Sequence, residues 1–553
     1  MDMNRTPGAP RARSVWVSAG ASLVALSTVV TLTLGAGAHA ATVRAGVHRA
    51  AARPIAGTFT EYLAQSPETL DPAHMSLAAE DDIAAEIGAS LVTINPQGKV
   101  VPWLAKSWTF SNHGKTVTFT LRSGVTFQVS HAPLTAQDIV ATYERDMAPK
   151  TGSPVAADEL EGVTSITAPN ASTVVFHLKA PNGSFLENIS DSGYLAPVDP
   201  VELKKWGSAY GQHPSSVGPY MLESWVPGES VTLVRNPNYT WAPSYDDPGA
   251  PYLKYLKFLI IPQQSSQVAA FASGQVDELG VPPQLWNQYA TNAKYAFYTA
   301  ADGFVMTFDW NLSEPMFKRA LVREALAYAI DRKAIVSAIY QGHALPAMSP
   351  YGPNLYGYDG ALTSDYPYNP AKAKALLKEA GYTYNSAGQL TQNGQPIVLN
   401  FLSESTFPLD TTGQLIQAEL QAVGIQSKIT DLELSTQIAE MTAGKYDVAM
   451  FGYSWSGADP VTLLQILLTN AGGLNVTHFQ NQGYANLMNE YVESTSQPTR
   501  LELVHEIQAD FVKYLPFLPL TYELGGTAVS KNYGGIEWNP WSSSILLDNA
   551  YEK

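Results

Sequence analysis

The chain has no cysteine among its 553 residues. That excludes disulfides, thiolate nucleophiles and cysteine-ligated metals. It also leaves no cysteine to carry a lipid anchor after an export signal. Histidine is scarce: ten are scattered without the spacing of a metal site. His505-Glu506 lacks the second histidine of a zinc protease, since Ala509 stands in its place. Gly114-Lys115-Thr116 lacks the phosphate-loop glycine five positions earlier, where Thr109 stands. Gly452-Tyr453-Ser454-Trp455-Ser456 lacks the last glycine of a nucleophile elbow. Gly35-Ala36-Gly37 mimics a dinucleotide loop but lies in the N-terminal segment treated below. The sequence therefore predicts no catalytic residue, no metal and no cofactor.

Positive charge is also in short supply. Lys and Arg number 33 against 49 Asp and Glu, a net charge of −16. Nucleic-acid binders need a basic footprint, so no nucleic acid is expected as partner. An acidic surface favours solubility and does not by itself mark the solute as cationic.

One long apolar run exists, and it comes early. Arg5, Arg11 and Arg13 precede the mostly apolar Val15 to Leu34, and Ala38-His39-Ala40 is an A-x-A site before Ala41. Residues 1–40 read as a signal peptide; the alternative is a membrane anchor. Removing them changes the net charge to −18, because three basic residues and one acidic residue leave. The expectation is an exported, soluble, monomeric protein, periplasmic or held at the cell surface without a cysteine-linked lipid.

Beyond Thr42 to Pro54, a small and basic lead-in, the chain alternates strand and helix patterns. Gly57 to Leu63 reads as a strand, followed by a Thr69-Leu70-Asp71-Pro72 turn. Val117, Phe119 and Leu121 alternate as a strand, and Thr135 with Asp138 forms a capping box before a helix with Ile139 and Tyr143 on one face. Val231 and Leu233 mark another strand. Phe304 to Phe308 reads as a buried strand left at Asp309-Trp310-Asn311. Pro315 is placed to open a helix, Asp331 to cap a second and Gly342 to end it. Asn369 and Pro370 start a helix that Gly381 stops. Ile397 to Phe401, Ile425 to Ile429 and Tyr446 to Tyr453 read as strands. Helices from Leu415 to Val423 and from Leu434 to Met441 separate them. Such alternation predicts a wound α/β lobe.

Several segments carry a family resemblance. Val322-Arg323-Glu324-Ala325-Leu326-Ala327-Tyr328-Ala329-Ile330-Asp331-Arg332 resembles the "VRxALxYAIDR" signature of family 5 extracellular solute-binding proteins, the receptors of peptide- and nickel-type ABC importers. Val101 to Trp108 resembles "vPxLAxsW", Arg122 to Phe127 "LRxGvxF", and Pro133 to Asp138 "PlTAeDV". Val217 to Tyr220 with Arg235 to Tyr239 resembles "GTGPY…RNPxY", with Ser215-Ser216 where the first Gly-Thr would stand. The resemblance implies an α/β, two-lobed periplasmic-binding-protein fold of type II with an extra domain in the first lobe. It implies lobe I from residues 55–95, 215–305 and 526–553, an extra domain at 96–214, and lobe II at 306–525. The implied function is delivery of a small solute, a peptide or peptide-like molecule, to an ABC permease in the membrane. A secreted hydrolase on the same scaffold, or a sensor or adhesin without transport, are the alternatives.

In wound α/β sheets ligands collect beyond the carboxyl ends of strands. The strand ending at Tyr453 leads into Ser454-Trp455-Ser456-Gly457-Ala458-Asp459-Pro460, which resembles the family's "W…DP" loop. In peptide receptors an aspartate before the "DP" binds the α-ammonium group, and no aspartate matches it here. Trp455 reads either as a core aromatic or as a ring that stacks on solute. Asp459 reads either as a turn and helix cap or as a solute contact. Tyr453, and Trp310 with Asn311 at a neighbouring strand end, complete the expected ligand-binding set.

Overall fold

In the computed structural model, the residues described are 55–405, 408–454, 459–469, 473–539 and 544–553. Three larger sheets organise them.

The first is four-stranded, in the order Thr58–Leu63, Tyr255–Ile260, Ser230–Arg235, Tyr220–Val226. The first pair is parallel and the other two pairs are antiparallel. Phe59, Val231, Leu233, Leu256 and Phe258 alternate inward and pack on Ile83 and Ile87 of the helix Ala78–Ile87. The second is antiparallel, in the order Ala105–Ser111, Thr116–Leu121, Thr173–Leu178, Val163–Asn170. Val117, Phe119, Val174 and Phe176 form its core with Ile139 and Tyr143 of the helix Ala136–Met147. That helix starts at the capping box, where the Thr135 N–H donates to Asp138 at 2.8 Å.

The third sheet has seven strands. Its order is Glu278–Gly280, Phe517–Ser530, Tyr295–Trp310, Val448–Ser454, Val398–Glu404, Gln426–Leu432, with Ala344–Pro346 added beside Phe517–Ser530. Tyr295–Trp310 and Phe517–Ser530 run antiparallel over most of their length. Near one end, Tyr295, Phe297, Leu524 and Ala528 pack around Trp286 and Phe271. At the other, Met306, Phe308, Leu518 and Leu520 belong to a different and larger core. These two strands are thus the crossings between two lobes. Their register breaks between Ala301 and Val305, and Gly303 within the break has φ +86°. A β-bulge here bends the ribbon where it passes from one core to the other.

The second lobe is a helix-covered sheet. Asp331 accepts from the Lys333 and Ala334 N–H groups, capping Arg332–Ala338. Asn369 caps Pro370–Glu379 in the same way through the Lys372 N–H. Among the described residues no helix is long and apolar enough to cross a membrane.

Three expectations from the sequence need correction. Asp309 and Trp310 do not leave the strand; it continues through both, held by Val448 and Ala449 on one side and Phe517 on the other. The helix expected at Pro315 begins at Ala320, because Asn311 first turns the chain by accepting from the Ser313 N–H. The helix expected at Leu415 starts at Leu409, so its first turns precede the apolar pattern that marks it.

Candidate functional site

The strand Val448–Ser454 lies inside the seven-stranded sheet, between Tyr295–Trp310 and Val398–Glu404. Val448 and Met450 point into one core, and Ala449, Phe451 and Tyr453 into the other. Its residues Val448 to Tyr453 are buried, and Ser454 at its carboxyl end is half-buried. Residues 455–458, and with them Trp455, lie outside the described residues.

The chain is described again from Asp459. Its Oδ1 accepts from the Val461 N–H at 2.7 Å and the Thr462 N–H at 3.0 Å, at the start of the helix Thr462–Leu468. Its Oδ2 turns the other way. It accepts from the Ser184 hydroxyl, and from Arg500 Nη2 at 3.0 Å. One carboxylate therefore anchors its own loop and reaches a segment 275 residues earlier.

Arg500 is the hub of this arrangement. It projects from the helix Gln497–Tyr514 and is 2% exposed. Nη1 donates to the Gly183 carbonyl at 2.5 Å and to Glu187 at 3.0 Å. Nη2 donates to Ser184 and to the Tyr491 hydroxyl, each at 2.8 Å. The guanidinium also lies 4.5 Å from the centre of the Tyr491 ring. Burial pushes the Glu187 carboxyl up, and the neighbouring Arg500 only partly offsets it. Ser184 and Glu187 belong to the smaller unit, whose core holds Phe185 and Leu186, whereas Tyr491 and Leu503 belong to the second lobe.

The remaining expected residues sit deeper. Tyr453 is 5% exposed, and its hydroxyl donates to Asp309 at 2.6 Å. Trp310 is fully buried and its indole N–H donates to the Leu515 carbonyl at 2.9 Å. Asn311 is equally buried, with Nδ2 donating to the carbonyls of Gly444 and Tyr446. Trp310 and Asn311 thus have neither surface nor spare hydrogen-bonding groups to offer a solute here; they fix the end of the crossing strand. The sheet brings Tyr453, Trp310 and Asn311 into one neighbourhood, but as interior scaffold. The sequence does not point to Arg500, Glu187 or Ser184. No local pattern marks them, since Arg500 lies more than 300 residues from both Ser184 and Glu187.

Residues 99–475 match the family model of the bacterial extracellular solute-binding proteins, family 5, middle region. The chain belongs to that family. Among curated relatives, this solute-binding protein is 26% identical over 464 residues to heme-binding protein A of Haemophilus influenzae, covering 80% of this chain and 82% of that one. It is 26% identical over 528 residues to di/tripeptide-binding protein 1 of Pseudomonas aeruginosa, covering 88% and 92%. Its fold superimposes on that of HbpA2 from Haemophilus parasuis with a TM-score of 0.79 at 23% identity, over 90% of this chain and 100% of that one. The solute-binding protein therefore has the two-lobed α/β architecture of the family, with its crossings at Tyr295–Trp310 and Phe517–Ser530.

Proposed function

We propose that this solute-binding protein captures a peptide or peptide-like solute between its two lobes and delivers it to an ABC permease. The observation that carries this is the pair of crossing strands, broken in register at Ala301–Val305, that links two separately cored lobes. A solute touching both lobes binds the closed arrangement better than the open one and shifts the population toward it. A permease that recognises the closed form then receives only loaded protein. Relatives named for di- and tripeptides support the peptide class.

Lobe I comprises 55–95, 215–305 and 526–553 in this reading, with the smaller unit at 96–214 and lobe II at 306–525. The loop after Ser454, with Trp455, forms part of the solute wall, on the strength of its position at a strand's carboxyl end. The protein binds without turnover and acts as a monomer, exported by a signal peptide cleaved before Ala41. The lack of cysteine means that it is held at the cell, if at all, without a cysteine-linked lipid.

Gentle purification, denaturation and mass spectrometry of whatever is released test the reading. Recovery of an intact peptide or peptide conjugate is the expected result. A solute of another class, or recovery of cleavage products after incubation with a peptide library, counts against it.

A further inference from the structure

The two crossing strands are not the sole connection between the halves of the molecule. Apart from them, the smaller unit touches the second lobe directly. The Gly183 N–H donates to the Val492 carbonyl at 2.5 Å, and Arg500 reaches back to the Gly183 carbonyl, Ser184 and Glu187. The backbones meet so closely that a Cβ on Gly183 would stand 2.0 Å from the Ser494 carbonyl oxygen. Gly183 is not in the left-handed region, so that approach is the reason glycine is required there.

The charge arrangement suits a contact that opens. Arg500 has Asp459 and Tyr491 within its own lobe, so its charge stays matched if the smaller unit departs. Glu187 adds a second carboxylate to a guanidinium already paired, and its burial opposes its ionised form. Desolvation of buried ion pairs cancels much of their attraction. The contact is therefore specific in geometry without being strongly favourable, which is what a reversible catch needs.

We propose that Arg500 is a positioning residue for solute capture: it latches the smaller unit onto the second lobe in the closed molecule and sets how long a solute is held, without touching the solute. This rests on the lobe-closure reading above. Opening would part Arg500 from Gly183, Ser184 and Glu187 while leaving it on Asp459 and Tyr491. The latch adds differential stability to the closed state alone, so it changes the closed population for every solute alike.

The test uses the full exported chain, whose lack of cysteine allows clean labelling. Lys150→Cys in the smaller unit and Glu490→Cys in the second lobe, both at exposed positions, carry a nitroxide pair for distance measurement. Distances are recorded without solute and with an equimolar mixture of dipeptides and tripeptides. Wild type is expected to show a short and a long population. Gly183→Ala, which can clash only when the halves meet, is expected to lower the short population about tenfold or more, and Arg500→Ala to act in the same direction. The melting temperature of Gly183→Ala should stay at the wild-type value. Two populations unaltered by Gly183→Ala overturn the latch alone. So does a fall in melting temperature with the short distance retained, because the contact is then a permanent part of the fold. A single unchanging distance in wild type overturns lobe closure itself, and the latch with it.

Discussion

The Tyr453 hydroxyl donates to Asp309 Oδ2 at 2.6 Å between two neighbouring strands of the large sheet, and both residues are buried. The other carboxylate oxygen of Asp309 is buried as well. Burial is the main cause that pushes this carboxyl up to about 7, against the pull of the Tyr453 and Thr307 hydroxyls. The pair fastens the end of one crossing strand to the strand that leads to Asp459, so it holds the scaffold under the site.

Asp309 should make stability fall as pH rises. Below the pKa of an unfolded aspartate, near 4, both states are protonated and the group contributes no pH dependence. Between about pH 4 and 7 the unfolded chain releases its proton while the folded chain keeps it, so folding is progressively disfavoured, and above about 7 the loss levels off. Asp309→Asn keeps an acceptor for Tyr453 and removes the charge. The variant should be more stable than wild type at pH 8, by about 1–4 kcal/mol, the free energy of keeping the proton across that pH range, and nearly equal to it at pH 4. Urea titrations at the two pH values read this directly. A wild-type–variant difference that does not change with pH removes Asp309 from the account.

Glu80 predicts a stability effect of a different origin. Its carboxylate accepts from four backbone N–H groups, those of Glu68, Thr69, Ser76 and Leu77, at 2.7 to 3.1 Å. It is 1% exposed, on the first turn of the helix Ala78–Ile87. The whole loop between the first strand and that helix is folded around it. Glu80→Ala should cost about 2–4 kcal/mol, since several N–H groups lose a charged acceptor together. Glu80→Gln should recover only part of this, because its NH2 group would face donors. Stability unchanged within about 0.5 kcal/mol in Glu80→Ala would show that water replaces the carboxylate at no cost.

How far the sequence can be read follows from the range of each interaction. Thr135 with Asp138, Asp331 with Lys333 and Ala334, and Asn369 with Lys372 act within three residues, and each marks its helix correctly. The crossing strand Phe517–Ser530 resists reading because Pro519 and the Gly525-Gly526 pair look like breakers. In the fold Pro519 faces Thr307 at a register shift, a position where a missing N–H is tolerated. Asp309 looks like a strand end because a lone carboxylate is costly inside a sheet; its hydroxyl partner is 144 residues away. Trp310 and Asn311 read as cleft residues only from their place at that supposed end. Asp459 is legible as a helix-capping residue from Asp-Pro alone, but its second oxygen and the Arg500 hub depend on Gly183 to Glu187, which no spacing connects to it.

Gly303 offers a test of the hinge region. The crossing strand passes through it at φ +86°, between the registers Ala301–Leu524 and Val305–Tyr522. Side chains tolerate this conformation in a known order, with asparagine better than alanine and β-branched residues worst. Gly303→Val should destabilise most, Gly303→Ala by about 1–2 kcal/mol, and Gly303→Asn least. Thermal melts of the three variants check the order. Equal melting temperatures would mean that the bulge relaxes to negative φ at no cost.

Asp459 separates loop anchoring from solute charge recognition. In Asp459→Asn the amide oxygen can still cap the helix Thr462–Leu468 through the Val461 and Thr462 N–H groups. The NH2 then faces Arg500 Nη2, donor against donor, and the Ser184 hydroxyl must turn from donor to acceptor. The variant should lose about 1–3 kcal/mol of stability, the scale of one charged hydrogen bond in a site where Arg500 keeps Glu187 as counter-ion. Asp459→Ala should lose about 1 kcal/mol more, the worth of the cap. Neither should abolish binding of an unblocked dipeptide and tripeptide mixture, because the carboxylate is occupied on both sides by the protein itself. Calorimetric titration beside thermal melts distinguishes the two roles. If Asp459→Asn kept the wild-type melting temperature and lost binding of free-amine peptides while retaining that of N-acetylated ones, the carboxylate would be the ammonium anchor, and its bonds to Arg500 and Ser184 would have to break when solute enters.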